Sequence, residues 1–598
     1  NLTVDDLRKL GRHVPDNTPT RKDEIVDVIH RAMMTGDGLP RLWTRLNQLQ
    51  RAAVAEVVHS PTNRFDANAF RAKYGDDPDW GTQQNTWSSV REPSILGLFF
   101  YRYEMPTDLK AALQSLVPKP RGITIETVPT LPAQVPLTVR PWQQRRGQPV
   151  EEVDLIVRDT QWMAHQDLLA VLRLIEAGQV RVTAKTQRPT AATVRTITDV
   201  LDGGDHYPPP DPDKQRDYSA ATEPDSMRAF AWPLLVQSAN LAEIAGSKLQ
   251  LTNAGNKALS APPQQTLRTL WKHWLKSKLL DEFNRIRLIK GQTGRGQHAM
   301  TAVAPRREAI ANALAALPVN EWVTFSEFSR YMQAAGQTFT ISRDLWTLYV
   351  EDPEYGSLGY QGFGEWHIVQ ARYLLVFLME YAATLGLIDI AYIPPANARL
   401  DFTNLWGVDD LDALSDYDGL RYLRLNNLGA WILGVVNSYQ PPAIEQAKVF
   451  NILPNHDIVT TGPLPAADRL LLERFAKQSA DQVWQLDKTL LLNAQEAGLP
   501  ISEIRDFLAT KSHTGLPQTV TILLSEMIEK VADLVSMEPA HLIEVRDSRT
   551  AQLLAVEHQL SKHCQLVGER YLVVPAKALN DVRRVLHGLG YALPPAVE

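Results

Sequence analysis

The sequence predicts a multidomain α+β protein that is predominantly α-helical and carries small β-sheets. Its 598 residues exceed what one hydrophobic core normally holds, so several domains are expected. Amphipathic helix patterns recur along the chain, and short apolar runs beside Gly or Asn turns lie between them, as expected for small hairpins. Proline-rich polar stretches at 117–150 and 203–225 predict linkers, and Pro441 and Pro442 mark the last boundary.

The composition is that of an ordinary globular protein, with 44% hydrophobic and 22% charged residues. Cys564 is the single cysteine, which excludes a disulfide framework within the chain and a four-thiolate zinc site. No run of about eighteen apolar residues is present, and the opening NLTVDDLRKL lacks a secretory-signal pattern. We therefore expect a cytoplasmic protein without a membrane span. The net charge of −6 still permits nucleic-acid binding through local basic patches.

The first 117 residues predict helices. Two short helices are expected within 1–35, and a further helical domain within 36–117. Thr3 and Asp6 have the spacing of a capping box for the first helix. After a Pro-rich turn, Thr20 is expected to cap the second helix, RKDEIVDVIHRAM.

This pair of helices, LTVDDLRKL and then PTRKDEIVDVIHRAM, resembles the SAP motif in its rhythm of leucines, turn and basic helix start. The SAP motif is a DNA-binding helical hairpin. The resemblance assigns Arg21 and Lys22 to the basic pair of that motif. It therefore implies that these two residues contact DNA.

Three later stretches share one theme, in which helices precede short strands around a turn. They are 150–202, 226–345 and 346–440. This order is typical of winged-helix domains, which place a helix in the major groove of DNA. Winged helices also serve as protein-docking modules, so both roles stay open. KLQLT followed by NAGNKAL, at 248–259, predicts a strand leading to a wing, and LRLNNLGAWIL at 423–433 repeats that pattern.

The first of these stretches carries basic side chains around a predicted helix start. Gly178 is expected to end one helix, and Thr190 to open the next, TAATVRTITDVL. Lys185, Arg188 and Arg195 flank that start. Side chains at such positions reach phosphates or base edges, so we predict that these three residues contact DNA.

Residues 268–308 form the most basic segment of the chain. They hold ten lysines and arginines against three acids, a local balance of +7. Arg268, Lys272 and Lys276 lie four apart and are expected to share one helix face, opposite an apolar face. The segment predicts contact with a nucleic-acid backbone. A solvated basic face with a mobile loop is the alternative.

The loop KGQTGRGQ at 290–297 follows that helix. Its glycines would let backbone N–H groups approach a phosphate, with Lys290 and Arg295 supplying charge. The loop is not a P-loop, because no Lys-Ser/Thr pair follows the last glycine. Helicase or ATPase chemistry is therefore not expected in this chain.

Other catalytic and metal patterns are missing. An Asp-rich segment at 401–418 lacks the spacing of a calcium loop, so we predict a solvated acidic loop, with docking of a basic partner as the alternative. No G-x-S-x-G motif occurs. We expect no metal, no cofactor, no small-molecule substrate and no enzymatic activity.

The last segment, 445–598, contains four ordered blocks. They are FNILPNHDIVTTGPLP (450–465), a helical block (469–527), HLIEVRDSRTAQLL (541–554) and ERYLVVPAKALNDVRRVLHGLGY (569–591). Their order resembles the helicase-associated domain of repair helicases of the xeroderma pigmentosum group B type. In that family the domain engages DNA or neighbouring helicase lobes. The resemblance implies that Lys511, Ser512 and His513, in a polar turn, are candidate contacts.

Together these patterns predict a non-catalytic DNA-binding subunit. It would act beside a separate helicase or nuclease in genome maintenance, including DNA repair, or in phage defence. The main alternative is a scaffold whose winged helices dock partner proteins. An enzyme whose site is assembled from distant residues is the third hypothesis.

Overall fold

The computed structural model divides the chain into two compact units. Unit 1 comprises Asn1–Glu445 and Leu464–Leu472, and unit 2 comprises Gln446–Pro463 and Glu473–Glu598. The structure describes residues 2–14, 19–83, 91–140, 150–208, 225–292, 294–352, 356–360, 366–403, 405, 408, 411–441, 448–532 and 539–593. It is 44% helical and 15% strand, with several small antiparallel sheets. The expected mixture of helices and small sheets is therefore confirmed.

The N-terminal part of unit 1 is helical. Its helices are α1 (Val4–Gly11), α2 (Lys22–Met34), α3 (Gly38–Arg45), α4 (Gln48–His59), α5 (Ala67–Tyr74) and α6 (Thr107–Leu113). A short antiparallel pair, β1 (Gly81–Gln83) and β2 (Arg91–Pro93), and a 3₁₀ turn at Ile95–Leu98 lie between α5 and α6. One apolar cluster built around Val54, Phe70 and Phe99 forms the core of this part.

Helix capping decides where α1 and α2 begin. The capping box of α1 is present, because the Asp6 N–H donates to Thr3 Oγ1 (3.2 Å) and the Thr3 N–H donates to Asp6 Oδ2 (3.1 Å). The expectation that Thr20 caps α2 is wrong. Arg21 occupies the cap position and offers no side-chain hydrogen bond to the helix. Helix α2 instead carries Asp23 and Glu24 in its first turn, where their negative charges interact favourably with the positive end of the helix dipole.

The remaining part of unit 1 mixes helices with short strands. In chain order the elements are β3 (Gln134–Pro136), β4 (Glu152–Asp154), β5 (Ile156–Arg158), α7 (Thr160–Glu176), α8 (Ala191–Thr198), α9 (Arg228–Ser238), β6 (Ala242–Ala245), β7 (Lys248–Leu251), α10 (Asn253–Ala258), α11 (Pro263–Trp274), a 3₁₀ turn (Glu282–Arg285), β8 (Ile289–Lys290), α12 (Arg295–Ala299), α13 (Val303–Ala315), β9 (Trp322–Thr324), α14 (Phe325–Ala334), a 3₁₀ turn (Leu345–Thr347), β10 (Tyr349–Asp352), β11 (Gly356–Tyr360), α15 (Gln370–Val376) with a π-helical continuation (Phe377–Ala382), β12 (Ile388–Tyr392), β13 (Leu420–Leu425), α16 (Asn427–Ile432) and α17 (Ala466–Leu472). Helix α17 packs against α7.

The stretch 117–150, predicted to be a linker, packs against the fold over its described residues up to 140. Strand β3 pairs with β4, and Val135 in β3 is buried. The Val128 N–H donates to the Trp322 carbonyl (2.7 Å), and Arg140 is 2% exposed. The linker prediction is wrong here because backbone pairing and burial fix a segment whose composition resembles that of a free one. Residues 209–224 of the second predicted linker lie outside the described part.

Residues 160–251, here called the first module, form a small sheet covered by helices. The hairpin β6–β7 pairs Ile244 with Leu249. On its other edge, β7 pairs with the segment 180–182 through an antiparallel bridge between Arg181 and Lys248. The order along the chain is thus helix, strand segment, two helices and hairpin.

Residues 303–425, here called the second module, follow a similar order with α13, β9, α14, α15 and the pair β12–β13, but the strand pair β10–β11 lies between α14 and α15 in the chain. Their sheet has the strand order β5-β12-β13-β9, and all neighbours are antiparallel. Strand β5, which precedes the first module in the chain, pairs with β12 of the second module. The two modules share one apolar core, which includes residues from Ala164 to Ile432.

Three strand pairs end in the same cap and helix. A cap residue follows the second strand, its N–H donates to the carbonyl that precedes the first strand, and its side chain accepts the N–H of the third helical residue. The backbone bonds are Thr252 to Leu241 (3.0 Å), Asn426 to Leu387 (3.4 Å) and Asp487 to Phe475 (3.1 Å). The side-chain bonds join Thr252 to Gly255 (3.1 Å), Asn426 to Gly429 (3.0 Å) and Asp487 to Leu490 (3.0 Å). NAGNKAL is therefore the start of helix α10, and its assignment to a wing is wrong.

Glycine is required in two of these helices. A Cβ on Gly255 would lie 2.0 Å from the Leu241 carbonyl oxygen, and one on Gly429 would lie 1.9 Å from that of Leu387. Because these contacts are with backbone, neighbouring side chains cannot move aside to relieve them. The glycine shared by LQLTNAGNKAL and LRLNNLGAWIL thus allows the helix to approach the hairpin.

The Asp205 carboxylate, which precedes residues 209–224 in the chain, caps the start of α9, which follows them. It accepts the backbone N–H groups of Met227 (3.1 Å), Arg228 (3.0 Å) and Ala229 (3.2 Å). The Arg228 side chain in turn pairs with Asp167 of α7, and both side chains are buried. Helix α9 is therefore anchored at its first turn to the preceding part of the chain.

Unit 2 contains two antiparallel sheets. Its elements are β14 (Phe450–Ile452), β15 (Asp457–Thr460), β16 (Ala476–Ala480), β17 (Val483–Leu486), α18 (Lys488–Glu496), α19 (Ile501–Lys511), α20 (Gln518–Ala532), β18 (Ala540–Glu544), α21 (Ser548–Val556), β19 (Gln565–Val567), β20 (Tyr571–Pro575), a 3₁₀ turn (Ala576–Ala578) and α22 (Leu579–Gly588). The strand orders are β14-β15-β17-β16 and β18-β20-β19. The strands expected in HLIEVRDS and YLVVP are confirmed, as is the cap formed by Asp487.

Candidate nucleic-acid interface

Half of the ten cations in the basic segment 268–308 are paired with acids of the same unit. Five of them form ion pairs with acids of unit 1. The pairs are Arg285–Glu380 (2.8 Å), Arg287–Asp416 (3.5 Å), Lys290–Glu351 (3.4 Å), Arg306–Asp281 (2.9 Å) and Arg307–Glu282 (2.7 Å). Arg306 and Arg307 are 1% and 0% exposed. The positive balance counted along the sequence is therefore not a positive surface, and the prediction of one basic face over this segment is wrong.

The acids that neutralise these cations include members of the Asp-rich segment. Asp416 and Asp418 are 4% and 0% exposed, and Asp418 pairs with Arg372 at 2.9 Å. Asp401 also pairs with Arg372, at 2.7 Å. The prediction of a solvated acidic loop is therefore wrong for Asp416 and Asp418, whereas Asp401 is exposed, and Asp409 and Asp410 lie outside the described part. Burial raises the pKa of the Asp418 carboxyl, and the charge of Arg372 opposes that rise.

Helix α11 carries the three cations predicted to share one face. Arg268 is half-buried, and its guanidinium lies 4.5 Å from the centre of the Trp431 ring. Because α11 ends at Trp274, Lys276 lies beyond the helix, and the prediction that it shares the face is wrong. Lys272 and Lys276 are exposed beside the C-terminal end of α11, where cations offset the helix dipole.

The glycine loop at 290–297 approaches the protein's own backbone. A Cβ on Gly291 would lie 2.3 Å from the Thr347 carbonyl oxygen, and one on Gly296 would lie 1.9 Å from that of Gly291. Lys290 pairs with Glu351. These glycines therefore permit tight packing of the chain, which does not support the predicted phosphate cradle. Arg295 begins helix α12, and its side chain lies outside the described part.

The candidate residues taken from the two family resemblances differ in exposure. Arg21 and Lys22 are exposed at the start of α2. Lys511 ends α19 and is half-buried, and its carbonyl accepts the Val449 N–H (2.9 Å). Ser512 is 1% exposed, and its hydroxyl donates to the Gly515 carbonyl (2.9 Å). Ser512 is thus a structural residue of the turn, and its assignment as a contact is wrong.

His513, the third candidate in that turn, is exposed. Its Nε2 lies 3.3 Å from the Thr461 hydroxyl, and its carbonyl accepts a hydrogen bond from Lys448 at 3.5 Å. The turn therefore presents one imidazole and a neighbouring ammonium group to solvent. It does not present three adjacent polar contacts.

The basic side chains predicted around the start of α8 lie beside β7. The Val182 N–H donates to the Ser247 carbonyl (3.0 Å), and the Leu249 N–H donates to the Val180 carbonyl (2.9 Å). Between these two bonds, Arg181 and Lys248 face each other as a non-hydrogen-bonded pair. Side chains approach most closely at such pairs in an antiparallel ladder.

A tight turn brings the predicted residues to the same place. The Thr183 N–H donates to the Arg188 carbonyl (2.9 Å), and the Thr190 N–H donates to the Arg181 carbonyl (3.2 Å). The chain thus returns to Arg181 before α8 begins. We define the hairpin patch as the five cations of this region. They are Arg181, Lys185, Arg188, Arg195 and Lys248.

The charge of the hairpin patch is uncompensated. Arg188 is half-buried and the other four side chains are exposed. Among the described residues, none of the five has an ion-pair partner. Glu176, at the end of the neighbouring helix α7, pairs with Arg173 (2.9 Å). Like charges directly opposite each other in a strand pair are destabilising, and a bound anion would relieve that repulsion.

Sequence reasoning identified three of these five cations and missed Arg181 and Lys248. The missing information was the pairing of 180–182 with β7, which joins positions 67 residues apart in the chain. The signal that could have found it was the order helix, strand, two helices, hairpin. In a sheet of that order the first strand pairs with the last strand of the hairpin.

No protein-family model matches the chain, and no curated protein matches it. No described helix combines the length and apolar character needed to cross a bilayer. Among the described residues, no group of three or more His, Cys, Asp or Glu side chains is arranged to hold a metal ion.

Proposed function

We propose that this chain is a DNA-binding subunit that contacts DNA through the hairpin patch and performs no catalysis of its own. The observation that carries the proposal is the pair Arg181–Lys248. Two exposed like charges face each other across an antiparallel pair, three further cations lie beside them, and no described acid neutralises them. A phosphate backbone is the anion that such a patch suits best.

We further propose that the first and second modules are winged-helix domains. The support is their shared order of helix, strand, two helices and strand pair, in which the first strand pairs with the last. In this proposal the β6–β7 hairpin is the wing, so the hairpin patch includes the side of a wing. The resemblances to a SAP motif at 1–35 and to a helicase-associated domain at 445–598 agree with the same role. On the basis of these resemblances we propose that the chain acts together with a separate helicase or nuclease.

The test is an affinity measurement on duplex, forked and single-stranded DNA across salt concentrations. The unaltered chain should bind with a steep salt dependence. Replacing Arg181 and Lys248 with glutamine should lower the slope of log K against log salt by about 2, because each phosphate contact contributes about 0.9. Circular dichroism would verify that the variant keeps its secondary structure.

A matched control changes the same charge elsewhere. Lys272→Gln with Lys278→Gln removes two exposed cations that lie outside the patch. We expect it to leave the salt slope unchanged. An equal loss in the control would contradict the assignment of the contact to the hairpin patch, and absence of binding to any DNA would refute the proposal.

The second candidate function is a protein-docking scaffold. The observation that favours it is the burial of α9 and of residues 370–382, the helices that a winged-helix domain would use to enter the major groove. On this alternative the hairpin patch binds an acidic protein surface. Retention of an acidic partner on the immobilised chain, lost with Arg181→Gln and Lys248→Gln while DNA binding is absent, would favour the scaffold.

A further inference from the structure

We infer that the hairpin patch binds the phosphate backbone of duplex DNA without reading its base sequence. This inference rests on the proposed function and narrows its ligand. Base sequence is read mainly by side chains that reach base edges in a groove, whereas phosphate contacts carry no sequence information. The question is therefore which described elements of the two modules could present a reading face.

Helix α9, the third helix of the first module, has no such face. Nine of its eleven residues are buried, including Trp232, which is 0% exposed. The charged residue of this helix, Arg228, pairs with Asp167 and donates to the carbonyl of Asp202. A helix covered in this way cannot enter the major groove, because entry would require opening the core of unit 1.

The corresponding helix of the second module is covered completely. Every residue from Gln370 to Ala382 is buried. Its charged side chains are Arg372, paired with Asp418, and Glu380, paired with Arg285. The π-helical part of this helix packs against α9. These two buried helices thus cover part of each other.

Helix α8, which borders the patch, offers little to base edges. Its exposed side chains are those of Ala191, Ala192 and Arg195, while Thr193 and Ile197 are buried. The two alanines can contact only a thymine methyl group, and the Arg195 guanidinium, which alone among these exposed side chains has paired donors, belongs to the cluster of five cations that a phosphate backbone suits. Arg195 is therefore suited to phosphate contact.

The hairpin is too short to reach deep into a groove. Strands β6 and β7 have four residues each and are joined by Gly246 and Ser247. Four residues of strand span about 13 Å, but little of that length projects, because the segment 180–182 pairs with β7 up to the turn, where the Val182 N–H donates to the Ser247 carbonyl (3.0 Å). What the hairpin presents is charge along its side, at Lys248 beside Arg181.

The experiment compares duplexes of equal length and different sequence, using the full chain and fluorescence anisotropy. Kd values for AT-rich, GC-rich and mixed duplexes should agree within about threefold, since base-reading contacts separate sites by about 1–3 kcal/mol per position. Chemical interference on one mixed duplex is the second measurement. Ethylated phosphates should block binding, and guanines methylated at N7 should not.

The outcomes separate this inference from the proposed function. Suppose that binding is steeply salt-dependent and that Arg181→Gln with Lys248→Gln lowers the salt slope. If the affinity then differs more than about tenfold between sequences, or N7 methylation blocks binding, the inference is overturned and the proposed function stands. If no duplex binds, both fail. Equal affinities together with phosphate interference support both.

Discussion

The Glu282–Arg307 ion pair gives the sharpest prediction about what holds unit 1 together. Both side chains are 0% exposed, and Arg307 Nε lies 2.7 Å from Glu282 Oε1, close enough for an ion pair although not aligned as a hydrogen bond. Glu282 also accepts hydrogen bonds from Trp274 Nε1 (3.1 Å) and the Tyr373 hydroxyl (2.7 Å). One carboxylate therefore accepts two buried hydrogen bonds and neutralises one buried guanidinium.

Replacing Glu282 with alanine should lower the free energy of unfolding by about 4 kcal/mol. Removing one partner of a buried ion pair destabilises by about 3–5 kcal/mol, because the other charge is left uncompensated. Arg307 keeps hydrogen bonds to the carbonyls of Ser277 (2.8 Å) and Leu280 (2.7 Å), which moderates that loss. The donors of Trp274 and Tyr373 would each lose a partner, which adds to it.

Urea unfolding followed by tryptophan fluorescence measures this change, with Trp274 itself beside the altered site. Glu243→Ala is the control, because Glu243 is exposed and should change stability by less than about 0.5 kcal/mol. The double variant Glu282→Leu with Arg307→Met should be less destabilised than the sum of its single variants, since no unpaired charge remains buried. A loss below about 1 kcal/mol for Glu282→Ala would refute the argument that this carboxylate neutralises a desolvated arginine.

Three further predictions concern His206, Gly429 and Thr252. Burial, and then the charge of Arg228, lower the pKa of His206 to about 4; because its ordinary value of 6.5 applies after unfolding, its contribution to stability is present above pH 6.5 and is lost as the pH falls toward 4. The free energy of unfolding that is lost between pH 7 and pH 5 should be about 2 kcal/mol smaller in His206→Gln than in the unaltered chain. Equal shifts of the urea midpoint in both proteins would contradict this prediction. In thermal unfolding, Gly429→Ala should destabilise the protein by about 1–3 kcal/mol, because the added Cβ would meet the Leu387 carbonyl. Gly588→Ala in α22 is the control and should not destabilise the protein, because its Cβ would meet no atom within 4 Å. Thr252→Ala should cost about 1 kcal/mol by removing the cap of α10, Thr252→Ser should retain most of it, and equal losses in the two variants would argue against a capping role.

Local patterns predicted local structure well. The capping box of Thr3 and Asp6, the cap of Asp487 and the helix start at Thr190 are all present, because each depends on residues within one helical turn. The similarity of LQLTNAGNKAL and LRLNNLGAWIL also corresponds to one shared conformation. In both segments the cap residue donates its N–H to a carbonyl that precedes the hairpin. That carbonyl lies outside the similar sequences, so their comparison could not reveal the cap.

Charge patterns predicted the surface poorly. Arg285 and Glu380 lie 95 residues apart in the chain yet form one buried pair. A count of charges along 268–308 cannot include such partners, so it overstated the positive character of that segment. Ion pairs with distant arginines, Arg287 and Arg372, likewise accompany the burial of Asp416 and Asp418 in a stretch whose composition is typical of a solvated loop.

The candidate site shows the converse limit. Lys185, Arg188 and Arg195 were identified because they lie beside a predicted helix start, which is local information. The grouping of Arg181 with Lys248 depends on which strands are neighbours in the sheet, and the patterns of a single sequence do not specify that order. Exposure was equally hidden, since Ser512 and His513 are neighbours of opposite accessibility.

Asp205 joins the two flanks of residues 209–224 by hydrogen bonds to the first turn of α9, so we expect these flanks to stay together when the chain is cut between 208 and 225. A polypeptide ending at 208 and another starting at 225 would carry every donor and acceptor of these hydrogen bonds, together with the Asp167–Arg228 pair and the strand contact at Ser247. Such a two-piece protein would allow one half alone to carry an isotope or a fluorophore. It also makes this position a natural place to graft a reporter domain.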